Sequence, residues 1–468
     1  MKSFSDRLYN AEKLSRRVGV RGPLPPNREV VGETLRVAAP AIVETLSIAV
    51  IGMIDTYMVS NLGDYAISAV GLTMNPRWIL LSPFLALSIA VSALVARRRG
   101  EGRMDQAGKI LQQAFMIALA LSAVVSAAGL LLADPAMRLM GSQPDSHADA
   151  VRYFRVVMAG VVFNAVTMVI NAAQRGLGDT RIAMRTNLLA NLVNVVFNFL
   201  LIEGRLGFPR LEVRGAAVAT VIGMAAGCAL AFRSVTRRDG ALRLFQGLRL
   251  RPDGPILRSL LRLSLPTLGE QMVTRAGFMM YFMIIARLGT IANSAHHIGM
   301  NFISISFSLG DGLAAASIAL VGRRLGEKRP DLAVIYSAVC QRFGLCCSFL
   351  IALIYIPFGR QLFSLFSKTP EVRAYGAELM RVIAVVVFIQ ITMVIFISCL
   401  RAAGDVRYVA VMNFICIGVI RWIAAYFLCY PMDLGLVGAW LGLLADQTLR
   451  LFLSWRRYRK GKWVEIKI

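Results

Sequence analysis

The residues of this sequence that could do chemistry are polar groups set inside long apolar runs. Asp55 stands in the stretch Val50-Ile-Gly-Met-Ile-Asp-Thr-Tyr57, and Glu44 lies eleven residues before it. At about 100° per residue on an α-helix, that spacing leaves the two carboxylates about 20° apart, on one face. A later run carries Asn187, Asn191, Asn194 and Asn198 in steps of four, three and four, one continuous amide stripe. The run before it adds Asn164, Asn171 and Gln174 on a roughly common face. A carboxyl group among amides with little water can exchange a proton, or lose it to bind a cation, which is the chemistry of an ion-coupled site. Asp55, Asn191, Asn194 and Asn198 are therefore the candidate ion-coupling residues. Asn on a membrane helix also serves simply to join helices, at about 0.6 kcal/mol per contact. For the stripe taken alone both readings stand, whereas an unpaired carboxylate such as Asp55 has no structural role that offsets its burial.

The second half of the chain is polar in a different way. Glu270, Gln271, Thr274 and Arg275 share one run, and Asp311, Gln390, Arg421 and Asp446 lie inside others. Gln271 and Arg275 are an i,i+4 pair, Glu270 with Arg275 is a candidate buried ion pair, and Asp446 and Arg450 are an i,i+4 pair. Glu44 has no cation near it in sequence. The expectation is that Glu270 serves the fold and Glu44 transport, with Asn164, Asn171, Glu44, Glu270, Arg275, Thr274 and Gln390 as polar residues of the substrate cleft or the lobes. His296-His297 near one run's outer end would titrate near neutrality or pack between helices. The seven cysteines lie in or beside apolar runs without metal-ligand spacing and read as packing residues. Neither a metal nor a cofactor is expected.

The elements that hold these residues follow from composition. The 468 residues are 57% hydrophobic and only 17% charged, with a mean hydropathy of +0.61, too apolar for a soluble core. A helix needs about 20 apolar residues to cross a hydrocarbon layer of roughly 30 Å. Twelve runs meet that need: 34–58, 66–96, 106–133, 150–171, 182–203, 214–234, 260–286, 291–322, 331–358, 376–400, 407–429 and 434–455. The net charge of +25 could point to nucleic acid, but most Lys and Arg sit in the two tails and in alternate loops. That is the positive-inside pattern, with both termini cytoplasmic. No nucleic-acid partner is expected; the partners are the lipid bilayer and a small-molecule substrate. In the basic N-terminal segment, Phe4, Leu8, Leu14 and Val18 read either as the stripe of a helix lying on the membrane or as part of a disordered tail.

The chain is also a duplication. Shifted by 226 residues, Pro40 and Glu44 meet Pro266 and Glu270, and Leu62-Gly63 meets Leu288-Gly289. Ala93-Leu94-Val95 with Arg97-Arg98 and Gly100-Glu101 meets Ala319-Leu320-Val321 with Arg323-Arg324 and Gly326-Glu327. Arg175, Gly178, Asp179 and Arg181 meet Arg401, Gly404, Asp405 and Arg407 at the same shift. Loop residues cannot align over such a distance through hydrophobicity alone. Six crossings per half make the repeats parallel, with a cleft between them. The fold class is an all-α polytopic membrane protein of twelve transmembrane helices in two pseudo-symmetric six-helix bundles. Its expected divisions are a basic cytoplasmic tail 1–33, a first lobe 34–234, a tether 235–259, a second lobe 260–455 and a basic tail 456–468. In the Gly-Asp-x-Arg turns, Gly would take an unusual backbone angle and Asp would cap the next helix.

These residues carry a resemblance. Pro40-x3-Glu44, Asp55-Thr56-x-Met58-Val59-x2-Leu62-Gly63 and Ala66-x2-Ala69-Val70 resemble the start of multidrug and toxic compound extrusion (MATE) transporters. So do Leu288-Gly289, Ala295-His296-x4-Asn301-Phe302, Leu320-Val321-Gly322-Arg323-x-Leu325-Gly326 and Leu400-Arg401-x2-Gly404-Asp405, over roughly 34–450. The resemblance implies two bundles arranged as a V and export of organic, often cationic, compounds against a sodium or proton gradient. It places the acidic residue of the first helix at Asp55 and the polar pair of the fifth at Asn194 and Asn198, the second commonly Asp in proton-coupled members. The helix 7 and helix 10 carboxylates of sodium-coupled members fall on Thr274 and Gln390, which speaks against a cation site of that type in the second lobe. The usual His-Gln of the eighth helix is here His296-His297.

The reading is a secondary efflux transporter of the inner (plasma) membrane, monomeric, working by alternating access in antiport with protons, or with sodium. A flippase for lipid-linked intermediates of the same superfamily is the alternative; it would line its cleft with several Arg and carry further helices that this chain lacks. An intramembrane enzyme is disfavoured by the absence of His-Glu-x-x-His and Gly-x-Ser-x-Gly, and no P-loop offers ATP as an energy source.

Overall fold

Backbone N–H and C=O groups inside a bilayer find no water, so apolar runs of this length fold as helices that bond internally. The computed structural model describes residues 18–237, 242, 244, 252–364, 366 and 370–466, and among these there are helices and turns but no strand. Phe4, Leu8 and Leu14 of the N-terminal stripe, and residues 238–241, 243 and 245–251 of the tether, lie outside the described residues. The first half comprises α1 (Asn27–Ser60), α2 (Asp64–Gly100), α3 (Met104–Leu131), the short α4 (Ala133–Leu139), α5 (Pro144–Ala159), α6 (Val161–Gly176), α7 (Thr180–Leu201) and α8 (Glu212–Thr236). The second comprises α9 (Gly254–Ala286), α10 (Thr290–Gly326), α11 (Pro330–Ser364), α12 (Pro370–Ala402), α13 (Val406–Ile415), α14 (Arg421–Cys429) and α15 (Gly435–Arg459).

Among the described residues, ten helices are long and apolar enough to cross a membrane, and the pair α5–α6 makes an eleventh. The remaining crossing of the repeat is α9, which has 33 residues but is diluted by Glu270, Gln271, Thr274 and Arg275. The chain is thus a multi-pass membrane protein. Two of the expected continuous runs are interrupted. The fourth bends by 48° between α5 and α6, at Gly160, where an added Cβ would come within 2.7 Å of the Val221 side chain. The eleventh is divided by a π-helical turn, Cys416–Ile420.

That π turn changes the register of the repeat. At the ends of the two helices Leu211 N–H bonds Leu201 C=O, and Leu434 N–H bonds Leu428 C=O. The acceptors are 227 residues apart instead of 226, so the turn inserts one residue. The donors are 223 apart, which makes Asp446 the counterpart of Gly223. Arg421 therefore occupies the place that Asn194 holds in the first half.

The chain divides into two compact units, Val43–Ser264 and Met1–Ile42 with Leu265–Ile468. It changes unit inside α1 and inside α9, beside Pro40 and Pro266. In the first of these units α2, α4, α5 and α8 share a core that includes Ala66, Ala69, Met137, Phe154, Met158, Val213 and Ala217. There α7 and α8 meet backbone to backbone: a Cβ on Gly223 would lie 2.5 Å from the Ala190 carbonyl, the close approach that small residues give membrane helices. In the other unit the N-terminal segment is fastened down. Arg21 N–H donates to Asp331 (3.2 Å), Arg329 donates to the Pro23 carbonyl (3.0 Å), and Glu33 accepts from Arg323 (3.0 Å), Arg324 (2.6 Å) and Tyr336.

The Gly-Asp-x-Arg turns are built as expected for Gly and differently for Asp. Gly178 and Gly404 have φ of +76° and +90°, and Asp179 and Asp405 N–H groups reach back to the Gln174 and Leu400 carbonyls, closing a Schellman turn. Neither Asp carboxylate caps the following helix. Asp405 instead accepts from Arg457 at 2.7 Å, because a charged donor outcompetes an N–H for a carboxylate.

Candidate functional site

In the unit Val43–Ser264, α1 presents Asp55 and α7 presents its amide stripe. Asn198, almost fully buried, donates its Nδ2 to Asp55 Oδ1 at 2.8 Å. The Asn194 amide satisfies its surroundings with its nitrogen toward Asp55, 2.8 Å from Oδ1 and 3.0 Å from Oδ2, and its oxygen accepting from Thr220 N–H at 3.2 Å. Asp55 itself is half-buried. Arg77, midway along α2, lies within electrostatic reach of it. The arrangement is a carboxylate held by two amides on otherwise apolar helices. It can keep or release a proton without losing its hydrogen bonds, and it has oxygens to offer a cation. Asn191, one turn along the stripe, has a buried Nδ2 with no partner among the described residues.

Glu44 sits at the other end of the same helix faces. It is 4% exposed and accepts from Arg175 Nη1 (2.8 Å) and Asn187 Nδ2 (2.6 Å). The second unit repeats this cluster member for member: Glu270, 5% exposed, accepts from Arg401 and from Asn413 Nδ2 (2.7 Å). Each of the three positions is related by the 226-residue shift. Two expectations are corrected here. Glu270 takes Arg401 as its ion-pair partner, since Arg275, five residues on, points to a different face of α9. Glu44, which has no cation near it in sequence and is on that ground expected to serve transport, is paired with Arg175, a residue read from sequence only as part of a turn.

The pair Asp446 and Arg450 forms as spaced, Nε to Oδ1 at 3.0 Å, but a third member joins it. Arg421 donates Nε (2.8 Å) and Nη2 (2.6 Å) to Asp446 Oδ2, with its guanidinium 4.4 Å from the Phe278 ring centre. All three are buried. At the position equivalent to Asp55 stands Tyr281, whose hydroxyl donates to the Ala439 carbonyl at 3.1 Å. The two halves therefore differ where the first has its Asp–Asn site. His296 is buried against Tyr281 and Trp440, a packing position, while His297 is exposed beside Phe282.

The other candidates are dispersed. Thr274 spends its hydroxyl on the Glu270 carbonyl of its own helix (2.8 Å), and Gln390 accepts from Ser306 (3.3 Å). Asn171 is buried and Asn164 half-buried; Gln174 donates to Ser234 at 3.1 Å. Sequence reading passed over Arg77, Arg175, Thr220 and Asn413. A charge inside the second apolar run was the available signal for Arg77, and the 226-residue shift from Asn187 was the signal for Asn413.

A duplicated set of membrane-crossing helices, with a carboxylate–amide site in one half, defines the class: a polytopic membrane protein of the secondary-transporter type. The MatE family profile matches residues 40–200 and 266–427, and the chain belongs to the MATE family of transporters. It is 28% identical to the "Probable multidrug resistance protein NorM" of Thermotoga maritima over 93% of each chain. To "Multidrug resistance protein MdtK" of Yersinia pestis it is 27% identical, over 91% of this chain and 94% of the relative. Among solved structures, one titled as the outward-facing conformation of a multidrug resistance MATE family transporter matches with a TM-score of 0.86 at 20% identity, covering 98% of this chain and 99% of that one. A transporter from Pyrococcus furiosus, described as having reverse polarity of its binding pocket, matches with a TM-score of 0.85 at 20% identity, over 97% and 99%. These likenesses carry the fold.

Proposed function

We propose that the chain exports organic, cationic or drug-like compounds by alternating access, in antiport with protons. The observation that carries the reading is the Asp55 carboxylate held by Asn194 and Asn198 on apolar helices. The names of its relatives as multidrug resistance proteins support the substrate class. Protonation neutralises a lone carboxylate without further ligands, whereas a sodium ion needs several oxygens around it. Sodium is the second reading, because Asn198 Oδ1 is buried with no partner among the described residues and could serve as one ligand. The alternating basic loops support a plasma-membrane protein with cytoplasmic termini. It acts as a monomer on a small-molecule substrate, and is a carrier instead of an enzyme.

The test uses proteoliposomes and ethidium. Efflux should stop when the pH gradient is dissipated with a sodium gradient kept, and Asp55→Asn should fold and insert but lose gradient-driven efflux. Efflux that continues until sodium is equalised would overturn proton coupling, and wild-type efflux by Asp55→Asn would overturn the role of Asp55.

A further inference from the structure

We infer that the amide stripe of α7 lines a proton path joining Asp55 to Glu44, carried by a file of waters of which Asn191 anchors one. This rests on Asp55 being the coupling residue and extends that reading. Asn198 bonds Asp55 and Asn187 bonds Glu44, at 2.8 and 2.6 Å. The two amides are eleven residues apart on α7, as the two carboxylates are on α1, a separation of roughly 16 Å. One helix thus touches both acids along a single polar face. Between the ends, Asn191 has a buried Nδ2 that nothing among the described residues accepts from. Buried donors in proteins are met, and where no protein group meets them a water does. By helical spacing Ile48 and Ile51 lie between the two acids on that face of α1, and neither side chain can hydrogen-bond.

The duplicated half supplies an internal control. It keeps the Glu270–Arg401–Asn413 cluster. Beyond Asn413, however, its stripe continues as Ile417, then Arg421 tied to Asp446, then Ala425, and Tyr281 stands for Asp55. A stripe that only joined helices would have no reason to be present solely where an acid lies at its far end. Guanidinium groups also flank the path, Arg175 on Glu44 and Arg77 within reach of Asp55. Glu44 is thereby the station at which the proton leaves or enters the stripe at its Arg175 end.

The experiment compares two modes of transport in proteoliposomes with radiolabelled tetraphenylphosphonium as the probe. Gradient-driven efflux requires Asp55 to exchange its proton, whereas probe-for-probe exchange at equal pH does not. Asn191→Leu should slow gradient-driven efflux at least tenfold and leave exchange at the wild-type rate. Asn191→Ser, which can still bind a water, should recover most of the efflux. Because Asn191 makes no hydrogen bond among the described residues, neither variant removes one. Unchanged efflux in Asn191→Leu, or an equal fall in efflux and exchange, overturns the path. Asp55→Asn measured alongside separates the two readings: if it retains efflux, the role of Asp55 has failed instead of the path.

Discussion

Exchanging either buried glutamate for glutamine should destabilise the protein by nearly the same amount. Glu44 and Glu270 are 4% and 5% exposed, and their arginines, Arg175 and Arg401, have side chains 22% and 16% exposed. Removing one partner of a fully buried pair costs about 3–5 kcal/mol because the other charge is left stranded. An exposed pair is worth about 0–1 kcal/mol. With a carboxylate fully buried and a guanidinium partly hydrated, the loss should fall between, at about 2–3 kcal/mol for each variant. Glutamine keeps the volume and can still accept from Asn187 or Asn413, so the amide bond survives and only the charge is lost. The measurement is the thermal midpoint of purified protein in detergent, with the yield of monodisperse material beside it. A double-mutant cycle then isolates the pair: Glu44→Gln with Arg175→Met should recover about 1–2 kcal/mol relative to the sum of the single variants. The reasoning is refuted if one glutamate variant keeps wild-type stability while the other fails to fold, or if the cycle is additive.

Asp446→Asn should be worse than either, since it strands Arg421 and Arg450 together, at 1% and 8% side-chain exposure; little or no monodisperse protein is expected. A wild-type melting point would show that the triad is not held by charge. Outside the membrane helices, the turn joining α4 and α5 is pinned by His147, whose Nε2 lies 2.9 Å from Asp134 Oδ1 and whose Nδ1 lies 2.6 Å from Ser142 Oγ. The His147 hydrogen bond first, and Arg138 after it, hold the Asp134 carboxyl below the usual carboxylate range. A carboxyl whose pKa is lower folded than unfolded contributes stability above its unfolded pKa, near pH 4, and loses it as pH falls through the folded value. Hydrogen exchange across 132–150, corrected for its intrinsic pH dependence, should rise below about pH 4. His147→Ala should abolish that step, and a flat profile in the wild-type protein would contradict it.

Much of this protein is set by the sequence alone. Apolar runs of membrane length fold as helices wherever water is absent, and a helix has one fixed angle per residue. The crossings, the duplication, the shared face of Glu44 and Asp55 and the α7 stripe are therefore all legible from spacing. Tertiary structure alone decided which groups meet. Glu44 finds Arg175 131 residues away and Asn187 143 away, and Glu270 finds Arg401 and Asn413 at the same separations. Local spacing instead offered Arg275, because an ion pair is read most easily within one helix while reach across helices depends on how they are packed. The π turn at Cys416–Ile420 is the other such case. One inserted residue leaves hydropathy unchanged, yet it rotates everything beyond it by about 100°. That rotation puts Arg421 where the first half has Asn194, so that two halves alike in sequence pattern carry different chemistry at equivalent positions.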